Sequence, residues 1–184
     1  SGKAAKKGVL FKGGDKIEIA SKINHIIFDK TGTLTKGEPF ITNYIGSDDN
    51  LYLLKIAASL ESQSRHPIAN ALVKEAKKQN IGLLQIKKIH TESGRGISGD
   101  LESINGLINI GSIEWLISKG VKIDSKSQKN LETAENKSYS VIGVSINNEL
   151  LGFILLNDLL REDSISSVQK LRNENYKINI LSGD

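Results

Sequence analysis

Two residue types are missing altogether from the 184 residues, cysteine and methionine. Without cysteine no disulfide framework can form, and no thiol can act as nucleophile or metal ligand. Histidine is scarce: His25, His66 and His90 lie far apart in the sequence and form no metal-ligand pattern. No apolar run approaches the roughly 20 residues that a membrane helix needs. The amino terminus is Lys-rich with no apolar core behind it, so no signal peptide is expected. A net charge of +4 is mild and spread out, and no basic patch interleaved with aromatics is present, so nucleic acid is not an expected partner. Lys3, Lys6, Lys7, Lys12 and Lys16 do concentrate at the start. They read as a solvated tail or, in a membrane protein, as a run at the cytoplasmic membrane surface.

What is present is ordinary for a soluble protein, with 38% hydrophobic and 25% charged residues, in a length that suits one large or two small domains. The informative stretch is Asp29-Lys30-Thr31-Gly32-Thr33-Leu34-Thr35. Residues 26–28, Ile-Ile-Phe, form a short apolar run ahead of it and read as a buried parallel strand. A carboxylate at the tip of such a strand sits where open α/β sheets bind ligands. Asp29 is therefore placed to attack a phosphoryl group and form an aspartyl phosphate. Lys30 and the hydroxyls of Thr31 and Thr33 can bond the phosphoryl oxygens, and Gly32 lets the backbone come close. The plainer alternative is a strand followed by an Asp/Thr/Gly turn.

Along the chain, Gly13-Gly14 reads as a turn. Residues 38–44 have weak strand character. Leu51, Leu54 and Ala58 mark one helical face behind Asp48 and Asp49, whose charge suits a helix start. A second helix begins near Pro67 with His66 at the cap, carries Ile68, Ala71, Leu72 and Ala76, and ends near Asn80 and Gly82. Residues 86–90 read as a strand, and Gly94-Arg95-Gly96-Ile97-Ser98-Gly99 as a Gly-rich loop leading into another. Asn105-Gly106 is a hairpin signal. Residues 111–119, carrying Trp115 and Leu116, and residues 125–136 read as helices. Residues 139–146 and 150–156 flank Asn147-Asn148 as a second hairpin, with Ile142, Val144 and Ile146 on one face. This order implies an antiparallel sheet with helices packed on it, an α+β insert over residues 40–154. Asp158 and Arg161 then precede a helix over residues 164–173. Residues 178–181 form a second buried strand with Ser182-Gly183-Asp184 at its carboxyl end, so the chain returns to the α/β domain.

The Asp29 string resembles the phosphorylation motif of P-type ATPases. Glu61, His66, Pro67, Gly94, Gly96, Ile97 and Gly111 match the nucleotide-binding signature of their heavy-metal (copper, zinc and related) branch, including the five-residue spacing from Glu61 to His66. Taken alone, His66 could be only a helix-start residue and the Gly-rich loop only a strand turn. Arg65 stands where the family usually has Glu, Ser112 where it has Asn, and Ser182 where it has Thr. Asp158 and Arg161 match the family's Asp before the last helix and its basic partner.

The resemblance implies a haloacid-dehalogenase-like (Rossmann-type) α/β phosphorylation domain, residues 1–39 and 155–184, incomplete at the C-terminus and interrupted by an α+β nucleotide-binding domain, residues 40–154. ATP bound at Glu61, His66, Gly94, Gly96, Ile97 and Gly111, with Asp158 and Arg161 also assigned to the nucleotide, would pass its γ-phosphoryl to Asp29. Lys30, Thr31, Thr33, Ser182 and Asp184 would complete the catalytic set. Asp29 and the Thr31 carbonyl would supply part of a magnesium shell. Thr31 stands where dehalogenase-type phosphatases carry a second Asp, and its lack of a carboxylate would slow hydrolysis of the acyl phosphate. The family's later Lys and Gly-Asp-Gly motifs would lie beyond Asp184, and its transmembrane and actuator domains elsewhere in the parent protein. The implied setting is the cytoplasmic side of a plasma-membrane pump. An open sheet edge beside residues 26–28 would favour weak self-association. A phosphatase of the same superfamily, or a nucleotide-binding module without chemistry of its own, are the alternatives.

Overall fold

The computed structural model describes residues 2–135 and 139–181. The chain divides into two compact units, residues 1–36 with 160–183, and residues 37–159. Ser182 and Asp184 lie outside the described residues.

The first unit opens with two short helices, α1 (Gly2–Ala5) and α2 (Gly14–Ala20). Gly13, expected with Gly14 to form a turn, sits at φ 114 as the helix cap, and Gly14 begins α2. The remainder is β1 (His25–Asp29), paired in parallel with β8 (Lys177–Leu181), and α7 (Ser164–Asn173). The two strands are not buried as expected: Ile27 and Ile180 are each 54% exposed. The physical reason is coverage, since β1 and β8 form a two-stranded sheet among the described residues.

The second unit is built on a six-stranded sheet in the order β2-β7-β6-β5-β4-β3. Its strands are β2 (Thr35–Ile45), β3 (Lys87–Glu92), β4 (Gly96–Leu101), β5 (Gly106–Gly111), β6 (Ser140–Ile146) and β7 (Glu149–Leu160). From β3 to β7 every neighbouring pair is antiparallel. Asn147 and Asn148 both adopt positive φ, at 48° and 68°, which suits the right-handed twist of the β6–β7 hairpin. At Asn105-Gly106 the connection is longer than a two-residue turn, because residues 102–104 form a 3-10 turn and Asn105 takes the left-handed conformation.

Helices cover both faces of this sheet. On one side α3 (Asn50–Glu61) and α4 (Pro67–Lys78) pack Leu53, Leu54, Leu60 and Leu72 against Ile108, Ile110, Val144 and Ile154. Leu51, expected on the inner face, is 57% exposed, since the buried stripe runs through Leu53, Leu54, Ala57 and Leu60. On the other side α5 (Ile113–Ser118) supplies Trp115 and Leu116, and α6 (Ser125–Glu135) packs Leu131 and Ala134 on Phe153 and Leu155. α5 starts two residues later than expected because Gly111 pairs with Gly96 inside the sheet. No helix among the described residues is long and apolar enough to cross a membrane.

Ile110 is buried at the centre of the larger core. Ile110→Ala should cost about 2–5 kcal/mol, from lost transfer energy and the cavity left behind. Urea unfolding followed by emission of Trp115, the single tryptophan, measures this; a midpoint unchanged from wild type would contradict the assigned core.

Candidate functional site

Asp29 is the last residue of β1 and its side chain is exposed. The chain then turns sharply. Thr31 (φ −78, ψ 123) and Gly32 (φ 76, ψ −10) have the dihedrals of a type II turn, which requires positive φ at its second central residue. Gly32 meets that need without a Cβ penalty. Thr35 ties the turn shut: its buried hydroxyl donates to the Lys30 carbonyl (3.2 Å) and accepts from the Gly32 N–H (3.1 Å).

The far end of the chain grips the same loop. The Leu34 carbonyl accepts from the Arg161 N–H (2.9 Å) and the Ser164 hydroxyl (2.7 Å). The Arg161 guanidinium donates through Nε to the Thr35 carbonyl (3.1 Å) and through Nη2 to the Gly32 carbonyl (3.3 Å). Asp158, on β7, accepts from the N–H groups of Gly37 (3.0 Å) and Glu38 (3.2 Å). Asp158 and Arg161 are thus placed on the backbone that leads into and out of the second unit. Sequence reasoning missed Ser164 and the role of Thr35. The only signal for Ser164 was a hydroxyl at the start of a predicted helix.

In the second unit, Glu61 ends α3 and His66 caps α4. The His66 Nδ1 accepts from the Ile68 N–H (3.3 Å), so the ring proton lies on Nε2, which remains as an outward donor. The Ser64 N–H donates to the Glu61 carbonyl (2.9 Å), and the Ser64 hydroxyl accepts from the His66 N–H (3.2 Å). Burial pushes the Glu61 carboxyl above the ordinary glutamate range; its hydrogen bond with Ser64 and the nearby His66 pull the other way. Leu60, next to Glu61, lies against β4, where a Cβ on Gly99 would meet Leu60 Cδ1 at 2.8 Å.

The three glycines play different parts. Gly94 has φ +70 and open space around it. Gly96 and Gly111 face each other across β4 and β5, and a Cβ on either would strike the Trp115 ring. Their missing side chains therefore make room for Trp115 on that face of the sheet. Ile97, between them in the pattern, points into the core instead. Lys119 lies 5.1 Å from the Trp115 ring centroid and pairs with Glu92 (2.6 Å), just ahead of Gly94. That pairing holds the Glu92 carboxyl below its usual range. The Ser112 hydroxyl accepts from the Trp115 N–H (3.3 Å) as the cap of α5. Trp115, Glu92 and Lys119, which shape the Gly94 loop, carried no motif of their own.

A sequence model of the haloacid dehalogenase-like hydrolases matches residues 23–184. The chain is 35% identical over 184 residues to a probable copper-exporting P-type ATPase of Archaeoglobus fulgidus, covering 100% of this chain and 22% of that protein. Among solved structures, the catalytic domain of the CPx-ATPase CopB-B, studied for its conformational changes on nucleotide binding, matches with a TM-score of 0.69 at 34% identity. That match covers 99% of this chain and 61% of the other. The N-domain of HMA8, a copper-transporting P-type ATPase, matches 62% of this chain and 97% of its own length, with a TM-score of 0.55 at 27% identity. The chain thus spans about a fifth of the length of the curated relatives it matches. By its match from residue 23 onward, the chain belongs to the haloacid dehalogenase-like hydrolase family.

Proposed function

We propose that this chain is the ATP-binding and phosphorylation part of a heavy-metal P-type ATPase, on the cytoplasmic side of a plasma membrane. The observation that carries the proposal is Asp29, exposed at the carboxyl end of β1 on a loop fixed from both ends of the unit. The likeness to copper-exporting P-type ATPases over the whole chain supports it.

ATP binds the second unit. The Glu61 carboxylate accepts from the adenine amino group, and His66 Nε2 donates to a ring nitrogen. Gly94 lets the backbone approach the base and ribose. In the phosphorylation step one Asp29 carboxylate oxygen bonds the γ-phosphorus. The bond from phosphorus to the β–γ bridging oxygen breaks, and ADP leaves with the electron pair. Lys30 and the Thr31 and Thr33 side chains offset charge on the moving phosphoryl group. The Asp29 carboxylate and the Thr31 carbonyl are hard oxygen donors that suit magnesium, which when bound neutralises phosphate charge. Among the described residues no group of three His, Cys, Asp or Glu side chains could hold a metal ion. Arg161 and Asp158 act on the loop and the connecting strands. The acyl phosphate drives transport of the metal ion through the parent protein's membrane and actuator domains.

In the parent protein, Asp29→Ala should abolish hydroxylamine-sensitive label from γ-labelled ATP while leaving nucleotide binding intact; this chain by itself should bind ATP and turn it over little or not at all. Label persisting in the variant overturns the nucleophile. Turnover of small phosphate esters by wild type, with no trapped intermediate, would instead favour a phosphatase.

His66 has two separable duties. His66→Ala should weaken ATP binding by about 1–2 kcal/mol, and its lost cap should lower stability by about 1 kcal/mol. His66→Asn should restore the cap but not the affinity. Calorimetric titration and urea unfolding of the two variants check this, and ATP affinity unchanged in both rejects the ligand role.

Glu61 predicts opposite pH trends for binding and stability. Its raised pKa means that the folded state favours the protonated acid. Its contribution to stability is therefore full below the unfolded pKa and is lost as pH rises through the folded value. ATP needs the ionised form, so affinity should fall as pH drops through that same value. In Glu61→Gln both trends should flatten; a wild-type pH profile in that variant would rule Glu61 out.

A further inference from the structure

The turn between α3 and α4 is made of residues 62–66, and of these Ser64 is the one that is not exposed. The function proposed above gives its side chain no part. Its backbone N–H donates to the Glu61 carbonyl (2.9 Å), which closes the turn behind α3. Its hydroxyl oxygen accepts from the His66 N–H (3.2 Å), and the Glu61 carboxyl takes a hydrogen bond from the same hydroxyl. Ser64 therefore touches both residues assigned to the base of the nucleotide.

A hydroxyl has one proton to give and two lone pairs. The His66 N–H occupies a lone pair and so turns the proton away from itself, toward the carboxylate. A donor that has itself accepted a hydrogen bond is polarised and gives a stronger one. Given to a carboxylate, that bond favours the charged form, against the burial that disfavours it. It also sets direction, since one carboxylate oxygen taken by Ser64 leaves the other for a ligand donor.

Few other groups act on Glu61. The main elements packed on α3 are α4, β4, β5 and β6. β5 and β6 carry no ionisable residue, and Asp100, the one on β4, pairs with Lys88 (3.0 Å). On α4, Lys74, Glu75, Lys77 and Lys78 lie about two turns or more beyond His66. On α3 itself Lys55 lies about one and a half turns before Glu61, and Arg65 in the turn is exposed. His66 is the titratable neighbour that acts on the carboxyl.

We infer that Ser64 is a positioning residue of the base site, whose hydroxyl sets Glu61 to accept from an amino group and to refuse a carbonyl oxygen at the same place. The inference rests on the reading that Glu61 and His66 hold the base. An ionised Glu61 accepts from the adenine amino group and repels the oxygen that replaces it in hypoxanthine. A protonated Glu61 can donate to that oxygen. Ser64 thus governs the choice between bases through Glu61.

The test is calorimetric titration of this chain with ATP and with ITP, which carries hypoxanthine, from about pH 5 to about pH 8. The two share one phosphate chain, so its titration cancels in the ratio of their affinities. In Ser64→Ala the preference for ATP should fall about tenfold at neutral pH, and the pH below which it is lost should move upward. The sign follows from the lost hydrogen bond, whose removal leaves burial to push the Glu61 carboxyl higher still. Ser64→Thr, which keeps the hydroxyl, should retain both wild-type readouts. Ser64→Cys, a weaker donor of similar size, should fall between wild type and Ser64→Ala, and carries the test where Ser64→Ala fails to fold. Urea unfolding checks that each variant is folded. A merely structural role would weaken both nucleotides alike and leave the ratio and its pH profile unchanged. That result in Ser64→Ala and Ser64→Cys, Ser64→Thr behaving as Ser64→Ala, or equal binding of ATP and ITP by wild type overturns the inference. Glu61→Gln separates it from the reading beneath it. If that substitution leaves the ratio unchanged, the base site is misplaced and both fall. If it changes the ratio while Ser64→Ala does not, the role of Ser64 alone falls.

Discussion

A buried carbonyl needs a donor, and the carbonyl of buried Leu34 has two, both from the returning chain. Removing a partner from such a group leaves it unsatisfied, at about 1–3 kcal/mol. The geometry of the Asp29 loop therefore depends on Arg161 and Ser164, which follow the entire second unit in sequence. They can reach the loop only if that unit brings its two ends together. It does so by placing β2 and β7 side by side, with Asp158 holding Gly37 and Glu38 where the chain enters. The entropy of closing so long a loop grows only slowly with its length. The two-faced core of the second unit offsets it. Folding of the insert and shape of the aspartate loop are in this sense one constraint.

Much of this was legible in the sequence because the signals are local. His66-Pro67 marks a helix start by chemistry within three residues. Asn147-Asn148 marks a hairpin because both residues tolerate positive φ. Gly32 marks a turn that needs it. What was not legible depends on contacts distant in sequence. No periodicity shows that Arg161 donates to Gly32 and Thr35. The exposure of Ile27 and Ile180 depends on which elements cover β1 and β8, and an apolar run reads alike with or without that cover. Leu51 failed for a smaller reason: three apolar residues at helical spacing fit more than one face when the helix is apolar nearly all round, as residues 53–60 are.

Glycine shows the limit most clearly, because one residue type answers two different demands. In the sequence Gly94, Gly96 and Gly111 look alike, and a missing side chain can serve either a ligand or a neighbour. The direction of the absent Cβ separates them. At Gly96 and Gly111 that direction is filled by Trp115, over whose ring Lys119 lies in turn. At Gly94 the direction is open and φ is positive. Two of the glycines thus build the floor of the loop, and one gives it freedom of approach.

The same division of labour operates within a single side chain at His66. One ring nitrogen satisfies a helix N–H, and that hydrogen bond fixes which nitrogen carries the proton. The ring is oriented before any ligand arrives, so less rotamer freedom remains to be lost on binding. Glu61 is prepared differently. It ends a helix whose residues 53–60 are largely buried, and desolvation raises the free energy of its charged form. A ligand donor that reaches this carboxylate relieves a cost the fold already bears, which makes the contact stronger than the same bond in open water. An oriented donor and a poorly solvated acceptor, close in sequence and linked through Ser64, suit a flat heterocycle that presents an acceptor and an amino group on one edge. A phosphate, which offers only acceptors, would meet repulsion at Glu61. In the function proposed above, the pair would take the base end of the nucleotide and leave the phosphates to be held elsewhere.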